Sequence, residues 1–293
     1  MALRSWLAGA ALPAAMLPIA GWADPNLTIA PGAIERHVVP RDAIPALFLP
    51  KHVSAGEVRF LRDKERIIAL ELGGVSVAYP TRILEHHQIV NDRVSGTPLT
   101  VTYWPLCGSA AAFDPQLEGR RLDFGVSGDL YNPNLLMYDH QTGSEWLQLT
   151  GTAIEGPFGR KLRLYPVAYD EWASWRRNHP DGFVLTIPED FAGRFGSYDD
   201  SPYAGYDDTP QLWFHASALD RRLPRKARVV GVEARGDTKA TLRQPSGRAA
   251  SSMIESAELA SHFSLTANVH IWRLCNRTPI SVRRFDASRR IGA

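Results

Sequence analysis

Along most of the chain, apolar and β-branched residues come in short runs cut by turn residues, the pattern of paired strands rather than of long helices. Glu65–Leu72 leads into Gly73-Gly74 and Val75–Tyr79 returns, which predicts a hairpin. Thr97–Trp104 is β-branched and aromatic and predicts a strand. Ala110–Asp114, the turn-like Pro115–Gly119 and Arg121–Val126 predict a second hairpin. Gly125-Val126-Ser127-Gly128-Asp129 misses the nucleophile-elbow pattern at its fifth residue and reads as a turn at a strand end. Helical signals are scarcer. Tyr79-Pro80 to Val90 accommodates one short helix with Pro80 near its first turn. Asp170–Asn178 accommodates another, capped by Asp170, with Trp172 and Trp175 on one face and Pro180 as the stop. Residues 196–210 are turn-rich, and Pro245-Ser246-Gly247 marks a further break. The expected fold is α+β and predominantly β, with hairpin-rich sheets or barrel-like units and a few short helices.

The pattern also repeats. Arg66–Gly74 is echoed by Arg228–Gly236, and Val101 to Trp104-Pro105-Leu106-Cys107 by Val269 to Trp272-Arg273-Leu274-Cys275. Phe113-Asp114 and Phe285-Asp286 follow in the same order. An internal duplication predicts, in each block, a hairpin leading to a strand that bears the tryptophan.

The N-terminus has a different character. Arg4 precedes an apolar run from Trp6 to Ala20, and Gly21-Trp22-Ala23 supplies small residues before Asp24. This is the layout of a cleaved signal peptide, and the prolines at 13 and 18 argue against a membrane anchor. The expected organisation is a signal peptide at 1–23, an extended lead-in at 24–43, a main domain at 44–220, and a partial repeat at 221–293 packed on it. The mature protein is expected in the periplasm or outside the cell, with no transmembrane segment after cleavage.

Charge narrows the partners. Arg4 is the only charged residue in 1–23, so cleavage lowers the net charge from +2 to +1. Such a balance supplies no field for nucleic acid or an anionic membrane, and the clusters Arg221-Arg222 and Arg289-Arg290 read as solvated surface. Two cysteines, Cys107 and Cys275, allow one disulfide at most and no disulfide scaffold.

Several motifs carry a resemblance. They begin with Ile44-Pro45-Ala46-Leu47-Phe48-Leu49-Pro50, Ala78-Tyr79-Pro80, Ile83-Leu84 to His87, and Ile89-Val90-Asn91-Asp92. The densest is Thr102-Tyr103-Trp104-Pro105-Leu106-Cys107-Gly108-Ser109-Ala110. Phe124–Gly128, Tyr131-Asn132, Met137-Tyr138-Asp139, Thr142-Gly143-Ser144, Trp146 and Pro202–Tyr206 follow. Together they resemble the bacterial and archaeal family called domain of unknown function 3179, over most of the mature chain. The resemblance implies no particular reaction. Relatives usually carry Cys-Pro-Leu-Cys where this chain has Trp104-Pro105-Leu106-Cys107. The local dithiol is therefore absent, and the resemblance implies a local role for Cys107 rather than a bridge to Cys275.

The candidate chemistry gathers between residues 82 and 146. Cys107 reads either as a nucleophile with His87 as its base or as a small buried hydrophobe. Arg82, Asn91, Asp92, Ser109, Ser127, Asn132, Asn134, Tyr138, Asp139 and Trp146 read as the polar and aromatic lining of a small-molecule pocket, or as groups that each satisfy a turn. His86 or His87 with His140, Asp139 and Cys107 would make a mixed zinc or copper set, although no paired ligand spacing supports it. Asp199-Asp200 and Asp207-Asp208 lie in a repeated acidic pattern without the EF-hand spacing, so whether a metal binds and which cofactor is used stay unassigned. The expectation is that His87, Cys107, Asn132 and Asp139 line one concavity. Three functions follow from these readings: a binder of a small molecule or metal with scope for catalysis, a cysteine-dependent enzyme, or an envelope protein that binds a partner.

Overall fold

The computed structural model describes residues 34–158, 160–191, 193–194, 196–216, 224–234, 237–242 and 268–273. The expected signal peptide, the first part of the lead-in, the break at Pro245 and the partnership of Cys275 lie outside these residues.

In chain order the first strands are β1 (Ile34–Glu35), β2 (Leu47–Phe48), β3 (His52–Ser54), β4 (Arg66–Leu72) and β5 (Val75–Pro80). Helix α1 (Thr81–His87) follows, then β6 (Ile89–Val94), β7 (Thr97–Trp104), β8 (Ser109–Phe113), β9 (Gln116–Leu117) and β10 (Arg120–Arg121). Next come β11 (Phe124–Tyr131), β12 (Asn134–Asp139), β13 (Glu145–Leu147), β14 (Ala153–Glu155), β15 (Leu164–Tyr165) and β16 (Ala168–Glu171). Helix α2 (Trp172–Asn178) precedes β17 (Phe183–Leu185), β18 (Arg228–Ala234), β19 (Asp237–Leu242) and β20 (Asn268–Arg273). The expected β-rich α+β class is what the chain adopts.

Three five-stranded sheets form the body. The first runs β1-β11-β12-β13-β14, the second β15-β8-β7-β6-β2, and the third β16-β4-β5-β17-β3. Side-chain alternation explains how they stack. From the second sheet, Val90, Leu99, Val101, Tyr103, Ala110 and Ala112 enter a core with Ile68, Leu70, Val77 and Tyr79 of the third. The intervening Ile89, Trp104, Ala111 and Phe113 enter another core with Phe124, Val126, Met137 and Trp146 of the first. The second sheet is therefore covered on both faces, and each large aliphatic side chain buried there contributes on the order of 1.5–3 kcal/mol. The outer face of the third sheet packs Ile67, Ala78 and Val184 against Trp172 and Trp175 of α2.

Several sequence expectations meet a partner they did not name. The first hairpin is present as β4–β5, and α1 follows Pro80 directly. The second hairpin is not: β8 pairs with β7 and β15, while β11 joins a different sheet. With both edges of β8 satisfied, the chain turns through the small β9–β10 ladder and crosses over. Gly125-Val126-Ser127-Gly128 is mid-strand rather than a strand end, at a bulge between Val126 and Leu130. Asp170 does not cap α2. Pairing of β16 with β4 holds the chain extended to Glu171, and the first helical N–H groups, of Trp172 and Ala173, donate to the Glu65 and Asp63 carbonyls.

In the later block, β18 and β19 form the hairpin expected at Glu233. The next strand differs: β20 pairs directly with β18, whereas β7 lies in the second sheet and β16 occupies the equivalent edge of β4. Within the described residues each hairpin is followed by a strand that bears the tryptophan, β7 with Trp104 and β20 with Trp272, and the two blocks differ in how that strand is paired.

Residues 34–43 form a strap along β11. After β1, Val39 N–H donates to Gly128 O and Asp42 N–H to Val126 O. The approach is so close that a Cβ on Gly128, whose φ is +86°, would sit 2.0 Å from the Val39 oxygen. Arg36 anchors the strap, bonding Asp129 and Glu145 at 2.8 Å each and also pairing with Glu155. Its side chain is 37% exposed, but those of Asp129 and Glu145 are only 5% and 6% exposed. Arg36→Ala leaves two buried carboxylates without their cation. The expected loss is about 2–3 kcal/mol, below the full cost for a buried pair because Arg36 itself is half-exposed. Urea denaturation at neutral pH measures it.

Candidate functional site

The first and second sheets are joined by a seam of hydrogen bonds, and three of the expected pocket residues lie in it. Asn91 of β6 treats Phe124 as a strand neighbour would: its Nδ2 donates to Phe124 O at 2.8 Å and its Oδ1 accepts from Phe124 N at 2.9 Å. Farther along, Gln148 accepts from Ser109 Oγ at 3.0 Å and Asn134 Nδ2 at 3.1 Å, and donates to Thr102 Oγ1 at 2.9 Å. All these side chains are buried. Gln148 carries no special sequence signal, which is why it escaped notice there.

Most of the other expected residues satisfy their own surroundings. Asp139, fully buried, accepts from Thr142 N at 2.6 Å, Thr142 Oγ1 at 2.8 Å and Trp146 Nε1 at 3.0 Å. Ser127 donates to Leu136 O and accepts from Asp129 N, bracing the bulge. Asn132 opens the two-residue turn between β11 and β12 at φ +50°, a conformation asparagine tolerates. Tyr138 bonds Asp42 of the strap and stacks on His140 with ring centroids 5.0 Å apart. Asp92 accepts from Tyr79 at 2.7 Å and from Arg93 N at 2.7 Å, with His52 Nε2 at 3.1 Å from it. Burial pushes the Asp92 carboxyl up, but His52, Tyr79 and the Arg93 amide together hold it below its ordinary value. Cys107 is buried in the core with Trp104 and Leu106. Among the described residues no three His, Cys, Asp or Glu side chains gather as a metal site.

Arg82 and His87 have another setting, the side of α1 that faces residues 197–204. The helix packs Ile83 and Leu84 into the core and presents Arg82, Glu85, His86, His87 and then Gln88 to the segment 197–204. Arg82 bonds Asp199 at 2.8 Å and pairs with Glu65. Glu85 accepts from Ser201, and burial raises its carboxyl above the ordinary value. His86 bonds the Asp200 backbone and meets the Tyr198 ring edge-on at 4.8 Å. Gln88 Nε2 donates to Tyr203 Oη at 2.7 Å. A groove of about 330 Å³ opens here, bounded by Lys64, Glu65, Arg82, Glu85, Tyr198 and Asp199.

His87 sits deepest. Its Nδ1 is 2.8 Å from Pro45 O, which can only accept, so Nδ1 carries the proton. Nε2 then accepts the Tyr198 hydroxyl at 2.6 Å. Both ring nitrogens are engaged, one by Pro45 and the other by Tyr198. Of the residues expected to line one concavity, His87 lies at the end of α1, Asn132 in the β11–β12 turn, Asp139 at the end of β12, and Cys107 in the core with Trp104. Glu65, Glu85, Gln88, Tyr198 and Tyr203 were missed as site residues, although the tyrosines stood in the turn-rich stretch and the family-like motif.

Two outcomes test this division. Asn91→Ala deprives both backbone groups of Phe124 of their partners, so it should cost about 2–4 kcal/mol in denaturant titration. For His87, burial pushes the imidazole down to about 4. Its unfolded form protonates near 6.5, so between those values the unfolded chain binds the extra proton. Its contribution is complete above pH 6.5 and declines as pH falls towards 4, by on the order of 3 kcal/mol. His86 is shifted in the same direction by burial. Denaturation midpoints should fall from pH 7 to 5 more steeply for the wild type than for His87→Gln.

No curated protein and no solved structure matches the chain. The family model described as "Protein of unknown function (DUF3179)" matches residues 41–291, a span that takes in the strap's end, α1, the seam and the segment 197–204. This chain belongs to the DUF3179 family of proteins of unknown function.

Proposed function

We propose that this is an exported protein that binds a small polar molecule in the groove between α1 and residues 197–204. The observation that carries the reading is the row of polar side chains on α1, where His86, His87 and Gln88 are all buried although an apolar face would pack at lower cost. Export is supported by the leader-like layout of residues 1–23. Around the groove, Lys64 and Arg82 stand beside Glu65, Glu85 and Asp199, so it offers both signs of charge and hydrogen-bonding groups. Such a lining orients a polar ligand rather than an aliphatic one. The cysteine-dependent enzyme and the partner-binding envelope protein draw no comparable support: Cys107 lies in the core, and His87 is bonded elsewhere.

Native mass spectrometry against amino acids, hydroxy acids, sugars and simple phenols tests the reading. At least one class should bind one-to-one to the wild type and at least tenfold more weakly to the Lys64→Ala/Glu85→Gln double variant. No binding by any class, or equal binding to the variant, overturns it.

A further inference from the structure

Segment 197–204 is attached to the body in an unusual way. Two of its backbone hydrogen bonds close local turns, Asp200 N to Ser197 O and Ala204 N to Ser201 O, and the Asp200 backbone also bonds His86. Two side chains reinforce those turns: Ser197 Oγ accepts from Asp199 N, and Ser201 Oγ accepts from Tyr203 N. The segment is preceded by Gly196 at φ +73° and followed by Gly205 at φ +77°. Its grip on α1 runs through side chains, one after another from Arg82 to Gln88. A unit with its own turns, glycines at both ends and side-chain attachments has the construction of a low-stability local element.

Beneath it, the polar groups are more numerous than the segment can satisfy. Gln88 is fully buried, and among the described residues its Oε1 meets no donor. The same residue is held at φ +61°, in the left-handed region, just where α1 gives way to β6. An unmet buried acceptor and a constrained backbone at one position are the marks of a site rather than of packing.

We propose that the space filled by the Tyr198 and Tyr203 rings is a binding site for a phenolic small molecule, and that residues 197–204 are the lid over it. The inference rests on the reading of the α1 groove as a ligand site, of which this space is the deep end. Both tyrosines act as internal stand-ins for the ligand. The Tyr198 hydroxyl fills the one acceptor that His87 can offer, because the Pro45 carbonyl fixes the proton on Nδ1. The Tyr203 oxygen takes the Gln88 amide proton and leaves Oε1 unmet. A ring with two adjacent hydroxyls answers both groups of Gln88. The surroundings suit a ring as well: His87 lies nearly parallel to Tyr198, 5.8 Å between centroids, and His86 and Trp104 meet Tyr198 and Tyr203 edge-on.

Catechol is the probe, with calorimetry for affinity and hydrogen exchange of the full chain for the lid. Catechol should bind the wild type one-to-one and speed exchange across 197–204. Tyr198→Phe keeps the ring and removes the lid's bond to His87. It should exchange about fivefold faster in 197–204 and bind catechol about fivefold tighter, since a lid that opens more often is displaced more easily. His87→Phe should weaken catechol at least tenfold. Gln88→Leu should do likewise, and serves if the first variant fails to fold. Absence of catechol binding to both wild type and Tyr198→Phe overturns the inference, as does binding that neither His87→Phe nor Gln88→Leu weakens. Sorbitol binding that depends on those residues, with none by catechol, also overturns the phenolic class. A non-phenolic ligand that needs Lys64 and Glu85 but not His87 overturns the lid site while leaving the groove reading in place.

Discussion

The fold depends on what happens when a sheet is buried on both faces. The middle of the second sheet, from β6 to β8, is almost wholly buried, so the polar side chains buried there must find their partners inside the protein. Asn91 and Gln148 answer this with side-chain amides that have the donor and acceptor of a peptide group. Asn91 bonds both backbone atoms of Phe124, and Gln148 gathers Ser109, Asn134 and Thr102. The first and second sheets are thereby held in one relative position by directional bonds, where apolar packing alone would permit sliding.

That constraint sorts the two interfaces of the second sheet. Towards the third sheet the contact is aliphatic and aromatic, from Val90, Leu99, Val101 and Tyr103. Towards the first sheet, apolar residues alternate with the amide and hydroxyl seam. The helix α1 lies at the margin of the aliphatic interface, anchored by Ile83 and Leu84, so its polar side is left for other uses.

Much of this was legible in the chain. Gly73-Gly74 between two alternating runs gave away β4–β5, and β7 spans the residues expected of it, Thr97–Trp104. Trp172 and Trp175, three residues apart, marked the buried face of α2, although the cap was misjudged because strand pairing with β4 reaches one residue further than local propensity suggests. The pairing of β8 and β11 was not legible. Alternation says that a strand is buried, but it does not say which sheet lies across from it. The same ambiguity explains the polar cluster between residues 82 and 146. A dense run of Asn, Ser, Asp and Tyr has the same appearance whether its groups face a ligand or face each other between sheets. Arg82 and His87 differ from Asn91, Ser109 and Asn134 only in lying against a loop instead of a strand, and that distinction is tertiary.

The strap has a consequence for the order of events in folding. Arg36 and Asp129 are 93 positions apart, and Arg36 and Glu155 are 119 apart. During synthesis from the N-terminus the strap therefore exists long before the strand that receives it. No early contact of this kind can form, and the β11 edge stays uncovered until its own sheet assembles. The strap, residues 34–43, thus has no partner for these bonds until the chain has been made as far as Glu155. Gly128 enforces the schedule from the other side, because only a finished bulge with no side chain leaves room for the Val39 carbonyl. The strap can therefore close only after the sheet that it crosses.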